Sequence, residues 1–381
     1  MRHLYLGDRG TLVYYVQLAL TRAGYPLALD GIFGERTCAA LGEFLGSSQC
    51  NVDADAWKRL LPYLGPKGEG AVVSAAVPYT SLLNCCAVEG LKARYPFLET
   101  GSIGRSVMGK KIPYLCIGTG KTQVFYNASF HANESITTPL LLKFAEAYLD
   151  AYARGVELYG VPAKELFTTC QLYLVPMVNP DGVDLVNGFL TSGMYYRQAQ
   201  RIAEQYAQIP FPDGWKANID GVDLNLQFPA GWENARQIKY AQGYTGPSPR
   251  DYVGVAPLTA PESAAVYRFT QAHDFSLILA YHTQGQVIYW KYLDYEPEHS
   301  REIAQYFGRV SGYAVELTPQ ESGYAGYKDW FIQEYDRPGY TIEAGIGQNP
   351  LPIAQFGRIY QDNRGILLGG MTQVSVEKSD D

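Results

Sequence analysis

The sequence predicts an α/β fold with a mixed, largely parallel central sheet flanked by helices, preceded by a small all-α domain of three helices. From residue 78 to 381, apolar runs rich in β-branched and aromatic residues alternate with longer amphipathic stretches, which favours an α/β sheet. Residues 1–64 instead show helical periodicity. Between the two, residues 65–77 are rich in Gly and Ala and lack periodicity, which is typical of a linker.

Length and composition agree with this division. The chain has 381 residues, which suggests one large domain plus a small one. Hydrophobic residues make up 47% and charged residues 18%, a globular rather than a disordered composition. The net charge of -7 argues against nucleic-acid binding through a basic surface. No window approaches the roughly 18 uninterrupted apolar residues of a membrane helix, so we expect no membrane insertion.

The first 64 residues predict three short helices. Leu12, Val16 and Leu20 share one face of a helix over residues 11–20. The turn at residues 30–34 leads into a second helix over 35–45, and a third runs from about 53 to 64, with Asp53 or Asp55 as its cap.

In the larger domain, strands and helices follow one another closely. The predicted strands cover residues 122–130, 170–178, 275–281 and 339–342, and the predicted helices cover residues 138–153, 261–272 and 300–312. The helix at 138–153 follows the strand at 122–130 at the short distance expected of a βα unit.

The six cysteines and the N-terminus limit the cellular setting. The spacing of the cysteines fits no CxxC metal pattern, and the adjacent Cys85 and Cys86 suit no compact disulfide framework. We therefore expect all six to be reduced and mostly buried. Asp8 and Arg9 interrupt the N-terminus before an apolar core of about 7–15 residues can form, so no Sec-type signal peptide is expected.

Two of the five histidines end apolar strands. His131 follows Val-Phe-Tyr-Asn-Ala-Ser-Phe, and His282 follows Ser-Leu-Ile-Leu-Ala-Tyr. The carboxyl ends of the strands are where ligand sites gather in open α/β sheets. Glu134 lies three residues after His131, and two His with one Glu form a three-ligand catalytic zinc set. His-x-x-Glu alone is a weak signal, because a capping Glu beside a buried His has the same spacing.

Residues 78–375 carry further motifs in a fixed order. These are Ile103-Gly-Arg-Ser-Val-Met-Gly109, His131-Ala-Asn-Glu134, Asn179-Pro-Asp-Gly182, Trp215-Lys-Ala-Asn218, Gly221-Val-Asp-Leu-Asn225, His282-Thr-Gln284, Asp329-Trp330 and Thr341-Ile-Glu343. In this order they resemble the zinc carboxypeptidase family of metallopeptidases over nearly the whole domain. The resemblance implies one Zn²⁺ ion held by His131, Glu134 and His282.

The same resemblance assigns roles to other residues. Asp223 matches an aspartate that holds the first histidine ligand and fixes its tautomer; a plain turn residue is the alternative. Glu343 matches the general base, which takes a proton from a water whose pKa zinc lowers toward ~7. Lys216 stands where the family often has an arginine that polarises the scissile carbonyl, although lysine lacks the bidentate fork and could be a surface residue.

Two departures bear on the substrate. Leu226 follows Asn225 where carboxypeptidases of the family have Asn-Arg, and leucine cannot bind a terminal carboxylate. Asn225 still matches a substrate-contacting asparagine, with an ordinary loop amide as the alternative. Glu321 occupies the position of the family's tyrosine upstream of Asp-Trp, although Tyr324 and Tyr327 are nearby. Both changes indicate an endopeptidase, or a substrate whose charge is displayed differently.

The N-terminal domain resembles the peptidoglycan-binding domains that often precede cell-wall hydrolases. The matching stretches are Leu6-Gly-Asp-Arg-Gly10, Val16-Gln-Leu18, Gly24-Tyr25 and Asp30-Gly-Ile-Phe-Gly34, together with Thr37, Trp57 and Leu60. The glycines of residues 30–34 suit a structural turn, so no carbohydrate contact is assigned there. A generic three-helix docking module is the alternative.

Together, the two domains imply a cell-wall substrate. Within the family, the run at residues 221–232 resembles the γ-D-glutamyl-L-diamino acid endopeptidases, which implies cleavage of peptidoglycan stem peptides between γ-D-glutamate and meso-diaminopimelate or lysine. The alternatives are a zinc carboxypeptidase and an inactive wall-binding protein. Without an export signal, we expect a cytoplasmic or spore-associated protein, or one that reaches the wall by a non-Sec route.

Overall fold

The computed structural model describes residues 3–64, 71–75 and 77–374. Its helices are α1 (Thr11–Arg22), α2 (Glu35–Leu45), α3 (Ala54–Leu64), α4 (Ser81–Arg94), α5 (Thr137–Arg154), α6 (Ala163–Thr169), α7 (Pro180–Val186), α8 (Gly193–Glu204), α9 (Trp232–Ala241), α10 (Pro261–Gln271), α11 (Ser300–Ser311), α12 (Tyr327–Tyr335) and α13 (Phe356–Thr372). Its strands are β1 (Leu4–Tyr5), β2 (Asn51–Val52), β3 (Glu99–Arg105), β4 (Lys111–Ile117), β5 (Thr122–Ala128), β6 (Glu157–Leu158), β7 (Val161–Pro162), β8 (Cys170–Val175), β9 (Phe275–His282), β10 (Val287–Tyr289), β11 (Ala314–Glu316) and β12 (Gly339–Glu343).

One mixed sheet organises the larger part of the molecule. Within the described ranges it has eight strands in the order β11-β10-β12-β9-β5-β8-β4-β3. The central strands β12, β9, β5 and β8 run parallel to one another, and antiparallel pairs join β10 to β12, β8 to β4 and β4 to β3. The predicted class, a mixed and largely parallel sheet flanked by helices, is confirmed.

The central strands are continuous apolar runs because helices cover the sheet. In β5, Val124, Phe125 and Tyr126 are all fully buried, as expected for a strand covered on both faces. Helix α5 follows this strand and buries most of its own length. Gly155 caps its C-terminal end, with a φ of 66° that gives the left-handed conformation glycine adopts without a steric penalty. This βα unit carries the site described below.

The predicted helices in the first 64 residues correspond to α1, α2 and α3. Asp53 caps α3, because its Oδ1 accepts hydrogen bonds from the backbone N–H groups of Asp55 and Ala56. Strands β1 and β2 pair antiparallel and tie the start of this unit to the segment before α3. The division into separate domains stays a prediction.

Hydrogen bonds connect this N-terminal unit to the larger part of the chain. On α1, Tyr14 Oη lies 2.8 Å from Ser74 Oγ, and Tyr15 Oη lies 2.8 Å from Thr80 Oγ1 at a buried position. Most of the predicted linker, residues 65–70 and 76, lies outside the described residues. Its remaining residues have no helix or strand, and Val73 is buried.

The expectation that all six cysteines are reduced was wrong. Cys38 in α2 and Cys50 before β2 form a disulfide, with their Cα atoms 4.9 Å apart. This distance is normal for a disulfide, and the loop after α2 brings the two residues together. The other four cysteines are free: Cys116 and Cys170 are buried, as expected, whereas Cys85 and Cys86 are only half-buried. Separately, no helix within the described ranges is long and apolar enough to cross a membrane.

Candidate active site

His131 and Glu134 lie in the turn that follows β5. Strand β5 ends at Ala128, and His131 directly precedes a short 3-10 helix over Ala132–Glu134. This tight turn brings the two side chains together, with His131 Nδ1 2.9 Å from Glu134 Oε1. Glu134 is almost completely buried. The local spacing therefore aims an imidazole nitrogen and a carboxylate at one point.

His282 reaches the same point from the neighbouring strand. Strand β9 runs parallel to β5, with Tyr281 in register with Ala128, so the carboxyl ends of both strands meet at one edge of the sheet. His282 Nδ1 lies 3.0 Å from Glu134 Oε2 and 3.2 Å from His131 Nδ1. The structure thus brings together all three of the predicted metal ligands.

The geometry of these three side chains fits a zinc ion. Zinc–ligand bonds of about 2.0–2.2 Å at tetrahedral angles place the ligand atoms about 3.3 Å apart, close to the observed separations. Two imidazole nitrogens face each other across a buried carboxylate, and a cation between them satisfies all three groups. Burial by itself would lower the pKa of His131, but the nearby Glu134 carboxylate raises it to about 9.

Asp223 holds the other nitrogen of the His131 ring. Its Oδ1 lies 3.2 Å from His131 Nε2. Its Oδ2 accepts a hydrogen bond from the backbone N–H of Asp251 at 3.1 Å. Burial opposes ionisation of Asp223, but His131 and these hydrogen bonds hold its pKa well below the usual range. The predicted contact with the first ligand is present in this arrangement.

Lys216 lies against the ligand cluster. Its Nζ is 3.1 Å from Glu134 Oε1, and its side chain is only 19% exposed. Its backbone carbonyl accepts a hydrogen bond from the N–H of Ala132 in the ligand turn. Burial lowers the pKa of Lys216, but Glu134 outweighs this effect and the net pKa is raised, so the ammonium stays charged. The alternative of a solvated surface lysine does not agree with this position.

Glu343 ends β12, the strand beside β9. In this parallel pair Glu343 is in register with His282, and its side chain lines the same cavity. Burial raises the pKa of Glu343, the His282 imidazole opposes that rise, and the Glu134 carboxylate adds to it. A raised pKa suits a group that must take up and release a proton near neutral pH.

Asn225 and Leu226 lie on a 3-10 helix that begins after Asp223. Asn225 Oδ1 accepts a hydrogen bond from the backbone N–H of Tyr327 at 3.0 Å, so part of this amide is used to hold the start of α12. Leu226 is buried in an apolar cluster with Trp232, Val253 and Ala325. Leu226 therefore contributes apolar surface where a carboxypeptidase of this family has a cation.

Neither Tyr324 nor Tyr327 takes the place of the family's tyrosine in the cavity wall. Glu321 is exposed on a 3-10 turn over Gln320–Ser322. Tyr327 is fully buried, with its hydroxyl 2.9 Å from Thr270 Oγ1, and Tyr324 packs against the apolar cluster around Leu226. Among the described residues that line the cavity, the one tyrosine is Tyr289 on β10.

The cavity around these groups has a volume of about 950 Å³. Its wall carries charged residues that the sequence analysis did not assign, namely Arg250 with Asp251 and Lys239, and Lys328 with Asp329. Lys328 Nζ lies 2.6 Å from Asp329 Oδ1 in a pair that is almost fully buried. Long-range folding brings these residues to the site, and of the five only Asp329 lies in a sequence motif, Asp329-Trp330, which assigns it no role. The one sequence signal for Arg250 is its position directly after Pro247-Ser-Pro249, and a charged residue in a Pro-rich loop is weak evidence for a site by itself.

Site and fold together define a zinc metallopeptidase with a carboxypeptidase-like sheet. The zinc carboxypeptidase family model matches residues 87–364. The chain is 46% identical to gamma-D-glutamyl-L-diamino acid endopeptidase 1 of Lysinibacillus sphaericus over 296 residues, which are 77% of this chain and 72% of that protein. It is 45% identical to the uncharacterized protein YqgT of Bacillus subtilis over 72% of each chain. The protein belongs to the zinc carboxypeptidase family, and its cofactor is one zinc ion.

Solved structures agree on the fold. Thrombin activatable fibrinolysis inhibitor superposes with a TM-score of 0.62 and 17% identity, over 80% of this chain and 76% of that one. Carboxypeptidase A from Helicoverpa armigera gives 0.59 and 18%, over 81% and 76%. At these identities the likeness establishes the arrangement of the sheet and helices, and the individual roles of Lys216, Asn225, Asp223 and Glu343 stay predictions.

Proposed function

We propose that the protein hydrolyses peptidoglycan stem peptides at the bond between the γ-D-glutamyl residue and the L-diamino acid, meso-diaminopimelate or lysine. The observation that carries the proposal is the 46% identity to an enzyme named for this cleavage, which extends over 77% of the chain. The 296 matched residues make up 72% of that enzyme, so the similarity extends over most of both proteins.

Leu226 supports an endopeptidase rather than a carboxypeptidase. A carboxypeptidase needs a cation that binds the terminal carboxylate of its substrate. Burial of a carboxylate without such a partner costs on the order of several kcal/mol of binding free energy. Leu226 is 8% exposed within an apolar cluster, so this position offers no such partner. A peptide that continues beyond the scissile bond presents no carboxylate there.

The residues of the site divide the chemistry among them. When bound by His131, Glu134 and His282, the zinc ion acts as a Lewis acid that polarises a carbonyl and lowers the pKa of water. Glu343 takes the proton of the attacking water and delivers it to the leaving amine. The Lys216 ammonium stabilises the negative charge that develops on the scissile carbonyl oxygen.

Asp223 and Asn225 position these groups and the substrate. Asp223 holds Nε2 of His131, which leaves Nδ1 of that ring beside Glu134, where it would serve as a zinc ligand. Asn225 lines the cavity beside Leu226, and the amide nitrogen of its side chain is the part available to a substrate carbonyl, since its oxygen accepts from Tyr327.

The N-terminal unit supports a wall-derived substrate. Its resemblance to peptidoglycan-binding domains fits an enzyme whose substrate is anchored in, or released from, that polymer. We infer that residues 1–64 bind peptidoglycan and raise the local concentration of stem peptides at the catalytic domain. We further propose that the protein acts in the cytoplasm, on the spore, or at the wall after export by a non-Sec route.

Mass analysis of the products from one defined tetrapeptide tests the cleavage site. With L-Ala-γ-D-Glu-meso-diaminopimelate-D-Ala, the expected products are L-Ala-D-Glu and the diaminopimelate-D-Ala dipeptide. Release of D-Ala alone would instead identify a carboxypeptidase. A C-terminally amidated tetrapeptide is cleaved as fast by the proposed enzyme and blocks the alternative.

A chelator and a metal measurement complete this test. Removal of zinc with a chelator is expected to stop cleavage, and re-addition of zinc is expected to restore it. A protein that holds zinc and binds purified peptidoglycan but leaves every peptide intact would be an inactive wall-binding protein, and the proposed function would be wrong.

A further inference from the structure

We propose that Arg250 binds the free α-carboxylate of the γ-linked D-glutamyl residue and thereby selects substrates in which this carboxylate is not amidated. The inference rests on the proposed function, because a γ-linked glutamate carries its free α-carboxylate on the acyl side of the scissile bond. It adds a substrate-recognition residue in a loop that none of the sequence motifs includes.

One edge of the Arg250 guanidinium is anchored. Its Nε lies 2.6 Å from Asp251 Oδ2. The second oxygen of Asp251 lies 2.6 Å from the Nζ of Lys239, whose side chain is only 9% exposed. The backbone N–H of Asp251 donates to Asp223, the aspartate that holds His131. The Arg250 guanidinium is therefore held in place by Asp251, and Asp251 is in turn bonded to Asp223 beside the ligand His131.

The other edge of the guanidinium is available. Within the described part of the chain, the two Nη atoms of Arg250 have no hydrogen-bond or ion-pair partner, and the side chain is 41% exposed in the wall of the cavity. These two nitrogens present parallel N–H donors in a plane, the geometry that binds a carboxylate through both of its oxygens.

The other cations of the cavity already have carboxylate partners. Lys216 lies 3.1 Å from Glu134, Lys239 lies 2.6 Å from Asp251, and Lys328 lies 2.6 Å from Asp329. Each of these three ammonium groups is more buried than Arg250. Among the described residues of the cavity wall, Arg250 is thus the cation that retains a pair of donors for a substrate anion.

Arg250 lies at a suitable place relative to the reacting bond. The carbonyl of the preceding Pro249 accepts hydrogen bonds from the backbone N–H groups of Lys216 and Ala217, at 2.7 and 2.9 Å. Lys216 in turn contacts the ligand Glu134. In a γ-linked glutamate, four covalent bonds separate the scissile carbonyl carbon from the α-carboxyl carbon, a span of about 5 Å. A group beside Lys216 can reach this carboxylate while the scissile carbonyl faces Lys216.

Two matched peptides separate recognition by Arg250 from a structural role. One is L-Ala-γ-D-Glu-meso-diaminopimelate-D-Ala, and the other is the same tetrapeptide with D-isoglutamine, which replaces the α-carboxylate with a carboxamide. Wild type is expected to cleave the acid with a kcat/KM about 10- to 100-fold higher than the amide, since a charge-assisted pair is lost with the amide. In Arg250→Gln this preference falls to about 1- to 3-fold, because kcat/KM for the acid peptide falls while kcat/KM for the amide peptide stays the same. Glutamine keeps polar donors but carries no charge.

Arg236→Gln is the control variant, because Arg236 has a similar exposure of 43% but pairs with Glu233 on α9. It keeps the wild-type preference. Zinc content and melting temperature of all three proteins are measured alongside kinetics. If Arg250 acted only through Asp251 and Asp223, both peptides would slow equally and zinc affinity would fall, and the proposal would be overturned.

The outcomes for wild type distinguish this proposal from the proposed function. Equal cleavage of acid and amide by wild type would overturn the role of Arg250 and leave the cleavage site standing. Cleavage of neither peptide by zinc-loaded wild type would overturn the proposed function and this inference with it. Retention of the full acid preference by Arg250→Gln would also overturn the inference.

Discussion

Asp223 Oδ1 lies 3.2 Å from Nε2 of His131, and the opposite nitrogen of the same ring, Nδ1, lies 2.9 Å from Glu134. The ring is therefore fixed from both sides. A carboxylate on Nε2 favours the tautomer in which Nδ1 carries the lone pair, and it makes that nitrogen a better metal ligand.

Loss of this carboxylate is expected to weaken metal binding. Asp223→Asn keeps the size of the side chain but removes its negative charge, so the zinc dissociation constant should rise about 10- to 100-fold. Competition with a chromophoric chelator measures it. Asp220→Asn is the control, since Asp220 lies three residues earlier and accepts a hydrogen bond from Gln198. Equal affinity in all three proteins would show that Asp223 is only a turn residue.

Substitution of Glu343 should separate hydrolysis from metal binding. Glu343→Gln removes the group that accepts the proton of water, so kcat is expected to fall by at least about 10²–10⁴-fold. Zinc content should stay at one ion per chain, because Glu343 is not one of the three clustered ligands. Atomic emission measures the metal and peptide cleavage measures the rate.

Glu316→Gln provides the comparison for Glu343→Gln. Glu316 is exposed and lies on β11, next to β10 in the same sheet. This variant should hydrolyse at the wild-type rate. Full activity in Glu343→Gln, with zinc in place, would remove Glu343 from the mechanism.

Much of the fold was predictable because its signals are local. The strands β5, β8, β9 and β12 are apolar runs between turns, and each lies within a few residues of its predicted position. The ligand set was predictable for a different reason. His131 and Glu134 are close in sequence, but their contact with His282 requires that two parallel strands be neighbours. The order of the motifs implied this arrangement, whereas the spacing of His131 and Glu134 alone could not predict it.

The remaining features depend on contacts between distant segments. Arg250 reaches the cavity because Pro249 bonds to the backbone of Lys216 and Ala217, more than 30 residues earlier, and no periodicity reports such a contact. The Cys38–Cys50 disulfide was missed for a similar reason. A separation of 12 residues fits no framework by itself, and pairing depends on how the chain returns after α2.

The contact between Tyr15 and Thr80 is expected to stabilise the packing of the N-terminal unit. The buried hydrogen bond between their hydroxyls is 2.8 Å long. Tyr15→Phe removes one partner while Thr80 keeps its bond to the N–H of Leu83, so the free energy of unfolding should fall by about 1 kcal/mol. Urea unfolding followed by circular dichroism measures the change. Tyr5→Phe, at a ring that is 55% exposed, should leave the stability unchanged. An equal effect of both substitutions would contradict the prediction.

Glu262 should make the stability of the protein depend on pH. It is fully buried at the start of α10, where Oε1 accepts from the N–H of Val107 and Oε2 from the side-chain amide of Asn218. Burial raises the pKa of Glu262 from 4.5 to about 7. Since the folded pKa is above the unfolded one, the protonated form stabilises the fold. That contribution is complete below about pH 4.5 and is lost as the pH rises through about 7.

Glu262→Gln removes this dependence, because an amide does not titrate. The free energy of unfolding of wild type should therefore fall relative to Glu262→Gln by about 2–3 kcal/mol between pH 5 and pH 8, given about 1.4 kcal/mol for each pKa unit. Urea titrations of both proteins at the two pH values measure the difference. Glu298→Gln, at a side chain that is 89% exposed, controls for the loss of one carboxylate. A difference between wild type and Glu262→Gln that is the same at both pH values would mean that Glu262 is ionised throughout, held by Val107 and Asn218.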